Sequence, residues 1–262
     1  MKKVIAGFGV IFFLTCVVAF SHETSGSPAE MSIEYGSQGK FKESLEELVK
    51  ALKSSPFDTN LKISLKIIED AINHKVKDDA AIYIFRGIDR YHQGDFDGAV
   101  SEFSSAIQAE PDYSVSYLKR GIAYLYKSEY EKAFSDCDKA VAIEPGYAVS
   151  YIYRGIVHSK KGDYDKAIAD YNKALEIDSE NADAYYNRGV ANAKKDLYVL
   201  AILDYDRAIE INPKYTNAFL NRGYIYMVNM ENPEKGCADW KRACELGMCN
   251  NYDLAKEEKK CN

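Results

Sequence analysis

The sequence predicts an all-α chain folded as a solenoid of stacked helical hairpins, and three observations carry that prediction. Gly87, Gly121, Gly155, Gly189 and Gly223 recur every 34 residues without a slip, each preceded by an arginine (Arg86, Arg120, Arg154, Arg188, Arg222). Ala99, Ala133, Ala167 and Ala201 keep the same period, as do Ala106, Ala140, Ala174 and Ala208, with Ala243 one residue late. Inside one period the apolar residues follow helical spacing twice, with a break between the two runs. Units of this length cannot bury their own apolar faces, so neighbours must stack.

The chain begins with Lys2 and Lys3 and an apolar run from Val4 to Phe20, then turns polar at Ser21. That order reads as a secretory signal over residues 1–21, cut after Ser21 beside the small residue Ala19. The run over residues 4–20 is also near the lower limit for a membrane span, which leaves an uncleaved anchor as the alternative. Cys16 sits in a poor context for lipidation. Residues 22–79 follow as an N-terminal cap, after a disordered lead-in from His22 to Pro28. Phe41, Leu45, Leu48, Val49 and Leu52 form one amphipathic stripe, which reads as the back half of a degenerate unit. Leu61, Leu65, Ile68 and Ile72 form another helix, and residues 29–78 are expected to close the N-terminal end of the array.

Residues 80–247 hold five regular units. In the third, Tyr151, Arg154, Gly155 and His158 lie along one helix, and Tyr164, Ala167, Ile168, Tyr171, Ala174 and Leu175 along the next. Lys161-Gly162-Asp163 separates them, with Asp163 placed to cap the second helix. Pro111, Pro145 and Pro213 punctuate the ends of their units, and Ser179 fills the equivalent place in another. The fifth unit departs from the pattern. Met230-Glu231-Asn232-Pro233 carries one extra residue at the turn, and Gly236 replaces an alanine.

These residues resemble the tetratricopeptide repeat. With Ala80 as the first position of a unit, the family's aromatic at position 4 falls on Tyr83, Tyr117, Tyr151, Tyr185 and Phe219, and its aromatic at position 17 on Phe96, Tyr130, Tyr164 and Tyr198. The glycine at position 8, the alanines at 20 and 27 and the proline at 32 are the series above. The resemblance implies a right-handed superhelical solenoid of helix-turn-helix repeats and a concave groove lined by the first helix of each unit.

Carried onto this chain, that groove includes Tyr91 and His92, then Val115, Leu118, Lys119, Ile122 and Tyr126. It continues with Tyr153, Ile156 and Lys160, then Tyr186, Asn187 and Lys194, and ends at Asn217, Asn221 and Tyr224. The family's carboxylate clamp for acidic peptide tails is missing: Ile84, Leu118, Ile152, Tyr186 and Leu220 stand where it wants lysine, and Ile88, Ile122, Ile156, Val190 and Tyr224 where it wants asparagine. Asn187 and Asn221 are candidates either for an asparagine ladder on an extended peptide or for plain solvent-facing amides.

Composition narrows the function classes. The chain has 262 residues, a formal net charge of −6 and 28% charged residues, which suits a globular protein and gives no basic surplus for a nucleic-acid partner. It holds 21 tyrosines and one tryptophan, and most of the tyrosines sit at recurring framework positions. His22, His74, His92 and His158 lie in separate segments without ligand or triad spacing, and no nucleotide-cradling, hydrolase or metalloprotease motif occurs. No catalytic residue, cofactor or metal is therefore expected. Membrane contact is expected only if the leader is retained.

Cys137 occupies a core position of its unit and reads as a buried, inert thiol. Cys237, Cys244, Cys249 and Cys261 cluster at the C-terminal end with gaps too long for zinc knuckles and no CxxC pair. If residues 234–246 and 251–260 are antiparallel helices joined at Gly247-Met248, the expected bridges are Cys244–Cys249 and Cys237–Cys261. The stretch around these cysteines resembles the closing segment of some exported bacterial tetratricopeptide proteins, and residues 248–262 read as a capping helix that shields the end of the solenoid. The expected function is a non-catalytic scaffold, periplasmic or extracellular, that binds a protein or extended peptide in the groove. The alternatives are a thiol-redox or metal-handling protein using the cysteine cluster, and a membrane-tethered assembly factor.

Overall fold

The structure, a computed structural model, describes residues 27–261; the proposed leader lies outside them. The described residues form fourteen α-helices. The five regular units pair α4 (Asp78–His92) with α5 (Phe96–Ala109), α6 (Ser114–Tyr126) with α7 (Tyr130–Ile143), α8 (Ala148–Lys160) with α9 (Tyr164–Ile177), α10 (Ala182–Lys194) with α11 (Tyr198–Ile211), and α12 (Thr216–Tyr224) with α13 (Pro233–Glu245). They are preceded by α1 (Pro28–Ser37), α2 (Phe41–Ser54) and α3 (Thr59–Ile72), and followed by α14 (Asn250–Glu257).

Each hairpin closes for a steric reason that is written in the repeat. A Cβ added to Gly155 would fall 2.6 Å from the Tyr171 ring, so only glycine lets α8 lie against the aromatic of α9. The turn inside each hairpin places one residue in the left-handed region: Gly94 (φ 79°), Ser128 (59°), Gly162 (85°) and Asp196 (58°) stand at equivalent positions. Glycine adopts that conformation without cost, whereas serine and aspartate are strained there. Asp163 takes the N-cap position of α9, but its carboxylate accepts from the Lys166 ammonium at 3.0 Å and not from a backbone amide of the first turn. In the first unit, by contrast, Asp95 caps α5 through the Gly98 amide at 2.9 Å.

The arginine before each glycine has a repeated task. Arg154 donates two hydrogen bonds to Asp170 on its own hairpin, at 3.0 and 2.6 Å, and a third to Asp138 of the preceding one at 2.7 Å. Arg120 holds Asp136 and Ser104 in the same way, Arg188 holds Asp204 and Asn172, and Arg222 holds Asp239 and Asp206. Asp136, Asp170, Asp204 and Asp239 are all buried. A bidentate fork to a buried carboxylate is the geometry that arginine, not lysine, satisfies. Arg86 forms no equivalent fork, since Glu102 stands where the other units have aspartate and ion-pairs with Arg90 at 3.5 Å.

The extra residue of the fifth unit is absorbed before the turn and not within it. A π-helical turn over Ile225–Asn229 extends α12, with the Met230 amide donating to the Ile225 carbonyl at 2.9 Å. The left-handed residue accordingly shifts one place later, to Glu231.

Two features of the N-terminal segment differ from the sequence reading. Ser27 and Pro28 are ordered parts of α1, because the Ser27 hydroxyl and the Glu30 carboxylate form a reciprocal capping box. More consequentially, α3 does not sit at the end of the array. Its Ile63, Ile67 and Ile68 are fully buried and share one core with Val115, Leu118 and Ile122 of α6, so α3 lies inside the concave face.

At the other end, Cys237–Cys261 and Cys244–Cys249 are bonded, the pairing expected from antiparallel packing of α13 and α14. Trp240, Ala243, Ala255 and Cys261 form the core of this cap. Cys137 is buried and free, and burial pushes its thiol well above the usual range.

Candidate functional site

The concave face is built from the first helices of the units, and α3 divides it. The Thr59 hydroxyl donates to Asp183 at the start of α10. Lys66 reaches Glu144 at 3.2 Å and stands 5.5 Å from the Tyr147 ring centre. Near the other end of α3, Asp70 accepts from the Tyr113 hydroxyl at 3.0 Å and from Lys66 at 2.9 Å. Val149 and Tyr153 of α8 pack against the same core. One amphipathic helix thus spans the concave side from α6 to the first turn of α10.

The residues assigned to the groove from sequence therefore fall into two groups. Leu118 and Lys119 are buried, and Tyr91 and Tyr153 are largely covered. Burial pushes the Tyr91 and Tyr153 phenols far above their usual range. Tyr126 stands at its edge, exposed on one side and packed edge-on against Tyr91 at 5.1 Å. Beyond Thr59 no further helix among the described residues crosses the face. There Tyr186, Asn187 and Lys194 of α10 lie beside Asn221 and Tyr224 of α12, and Lys160 is exposed at the end of α8.

Within the open stretch some groups are committed to the fold. Asn221 donates to the Tyr186 hydroxyl at 3.2 Å, and the Tyr186 ring stacks on Tyr215 at 5.0 Å. Asn187 donates to the Asp183 carbonyl one turn back at 2.8 Å. The two asparagines thus have internal partners and do not form a solvent-facing row. Tyr224, Lys194 and Lys160 are the exposed members of the set.

His158 lies 3.9 Å from both Asp163 and Asp170, with its ring 5.1 Å from that of Phe134, and desolvation lowers its pKa; it is a packed side chain beside the arginine fork. Among the described residues no group of three or more His, Cys, Asp or Glu is placed to hold a metal, and no helix is long and apolar enough to cross a membrane.

One surface feature escaped the sequence reading. Leu197 at the N-cap of α11, and Val199, Leu200 and Leu203 within it, are all exposed. At equivalent positions the two preceding units carry Asp163, Asp165, Lys166 and Ala169, and Glu129, Glu131, Lys132 and Ser135. Aligning the second helices by polarity, and not only by framework residues, would have exposed the substitution.

Stacked hairpins with a partly filled concave face define a helical-repeat interaction scaffold. Family models described as tetratricopeptide repeat match residues 86–148 and 182–215, and one described as TPR repeat matches 159–196. Among solved structures, MamA is similar with 25% identity and a TM-score of 0.54, over 65% of this chain and 96% of that one. PilW, a widely conserved type IV pilus biogenesis factor, is similar at 19% identity and TM-score 0.60, over 64% and 77% of the two chains. YrrB, described as a TPR protein with an unusual peptide-binding site, is similar at 19% identity and TM-score 0.52, over 82% and 99%. No curated protein matches the sequence. The chain carries tetratricopeptide repeats, matched over residues 86–148 and 159–215.

Proposed function

We propose that this protein acts outside the cytoplasm as a non-catalytic scaffold, capturing a protein or an extended peptide on the open stretch of its concave face. The observation that carries the reading is where α3 stops. It covers the groove as far as Asp183, and among the described residues no helix crosses α10 and α12, where Lys194 and Tyr224 are exposed and Asn187 is half-buried. An aromatic anchor among hydrogen-bonding groups is the composition of a peptide-binding surface. Two disulfides support an oxidising compartment, in keeping with the basic and apolar leader. Their place in a capping helix supports a structural role for the cysteines over a redox one. The comparison with YrrB supports peptide capture as a use to which this fold is put.

The test is selection of peptides from a displayed random library on the purified chain, repeated with Asn187→Ala/Tyr224→Ala. The expected result is an enriched motif whose affinity falls about tenfold or more in the double variant, equivalent to about 1.4 kcal/mol, while circular dichroism and the melting transition are preserved. Unchanged affinity in the folded variant, or crosslinks mapping to the convex side, would refute the assignment.

A further inference from the structure

Where α1, α2 and α3 meet α4, α5 and α6 they enclose a cavity of 230 Å³. Ile33, Leu48, Leu61, Ile88, Phe103 and Ile122 give it an apolar wall. Ser54, Asn60 and His92 also line it and are exposed, so it opens to solvent on that side.

Two charged residues, Asp58 and Lys119, interrupt the apolar wall. Six charged side chains are buried among the described residues: Asp70, Lys119, Asp136, Asp170, Asp204 and Asp239. The five aspartates are ion-paired within 2.9 Å. Lys119 is the exception. It is 6% exposed, lines the cavity, and has no acceptor within ion-pair distance. Asp58 is the carboxylate that acts on it through space, and an oxygen of that group already accepts from the Leu61 amide at 3.0 Å to cap α3. An ammonium drawn into a largely apolar cavity without a close ion-pair partner loses much of its hydration, and an anion that pairs with it offsets that cost.

We propose that this cavity binds a small carboxylate with an unbranched apolar tail, its head on the Lys119 ammonium and its tail along Leu48, Ile88 and Phe103. Size supports the class. An apolar cavity of about 150 Å³ accepts a six-carbon ring, so 230 Å³ has room for about nine heavy atoms on the same scale, close to octanoate. The site is separate from the open stretch of the concave face and does not rest on the identity of the peptide partner.

Calorimetric titration of the full chain with octanoate, octanol and octylamine tests the proposal. Octanoate should bind in the micromolar range, with octanol about tenfold weaker or more and octylamine weaker still, since a charge-assisted pair is lost or reversed. Lys119→Met should weaken octanoate by a similar factor and leave octanol unchanged. Ala51→Leu, which fills the cavity from α2, should abolish both and provides a second variant if the first is poorly folded. Equal binding of octanoate and octanol, insensitivity to Lys119→Met in a folded protein, or no heat with any of the three would overturn the assignment.

Discussion

Arg154→Met removes the fork that joins α8 to Asp170 and the single bond that reaches back to Asp138. Asp170 is 6% exposed and accepts both bonds of the fork, so its carboxylate stays buried without its partner. Stranding one member of a buried ion pair costs about 3–5 kcal/mol, whereas replacing both by apolar groups of similar volume is near neutral. Arg154→Met should therefore destabilise by about 3 kcal/mol, at the lower end because the guanidinium itself is 20% exposed. Asp170→Leu combined with Arg154→Met should recover most of that loss. The assay is urea unfolding at pH 8, where His158, 3.9 Å from Asp170, is neutral and cannot stand in for the lost cation. Equal m-values across the variants are required, since repeat arrays can unfold in parts. Hydrogen exchange should place the loss in α7, α8 and α9, because the third bond crosses to the preceding hairpin. A cost below about 1 kcal/mol for Arg154→Met, or a double variant as unstable as the sum of its parts, would refute the view that the forks fasten the array.

Ser128→Gly should raise stability by about 0.5 kcal/mol, as relief of the strained turn is partly offset by glycine's entropy; a lower melting temperature would count against the turn geometry. Replacing Cys237 and Cys261 by serine opens a link across 24 positions and should cost about 3.5 kcal/mol by loop-closure entropy, against about 2 kcal/mol for the Cys244–Cys249 pair, five positions apart. Denaturant midpoints of the two variants should keep that order. Burial pushes the Lys119 ammonium down to about 8 from an ordinary 10.5. The unfolded chain therefore holds a proton that the folded chain has shed between those values, and stability rises with pH across that window. Against Lys119→Met, which lacks this group, the wild-type chain should gain about 2–3 kcal/mol between pH 7 and 10; parallel pH profiles would show that Lys119 is not desolvated.

The regular units were legible because close packing writes itself into small residues. Gly155 against Tyr171 admits no other side chain, and that constraint recurs at one period. The cysteine pairing was legible because two short antiparallel helices leave few partners within reach. The arginines were visible as a series, but their task was not, since the aspartates they hold are ordinary acids in a sequence. The position of α3 was hidden for a different reason. An amphipathic stripe shows that a helix must be covered and says nothing about what covers it. The complementary signal was nevertheless present at Leu118, Ile122, Ile152 and Ile156, where a peptide clamp would be polar: a groove floor that apolar needs an occupant. Only contact geometry identifies that occupant as part of the same chain.

The path of α3 has a mechanical consequence. In an ordinary helical-repeat array each unit feels only its neighbours, so the whole behaves like a spring that stretches and frays from its ends. Here a single helix is fastened near Tyr113, at Glu144 and at Asp183, three places far apart in sequence. It acts as a brace across the inside of the coil, fixing the curvature of the first four units and making their opening a shared event. The fifth unit lies past the end of the brace, and the elasticity left to the array is concentrated between α10 and α12, where the concave face remains open.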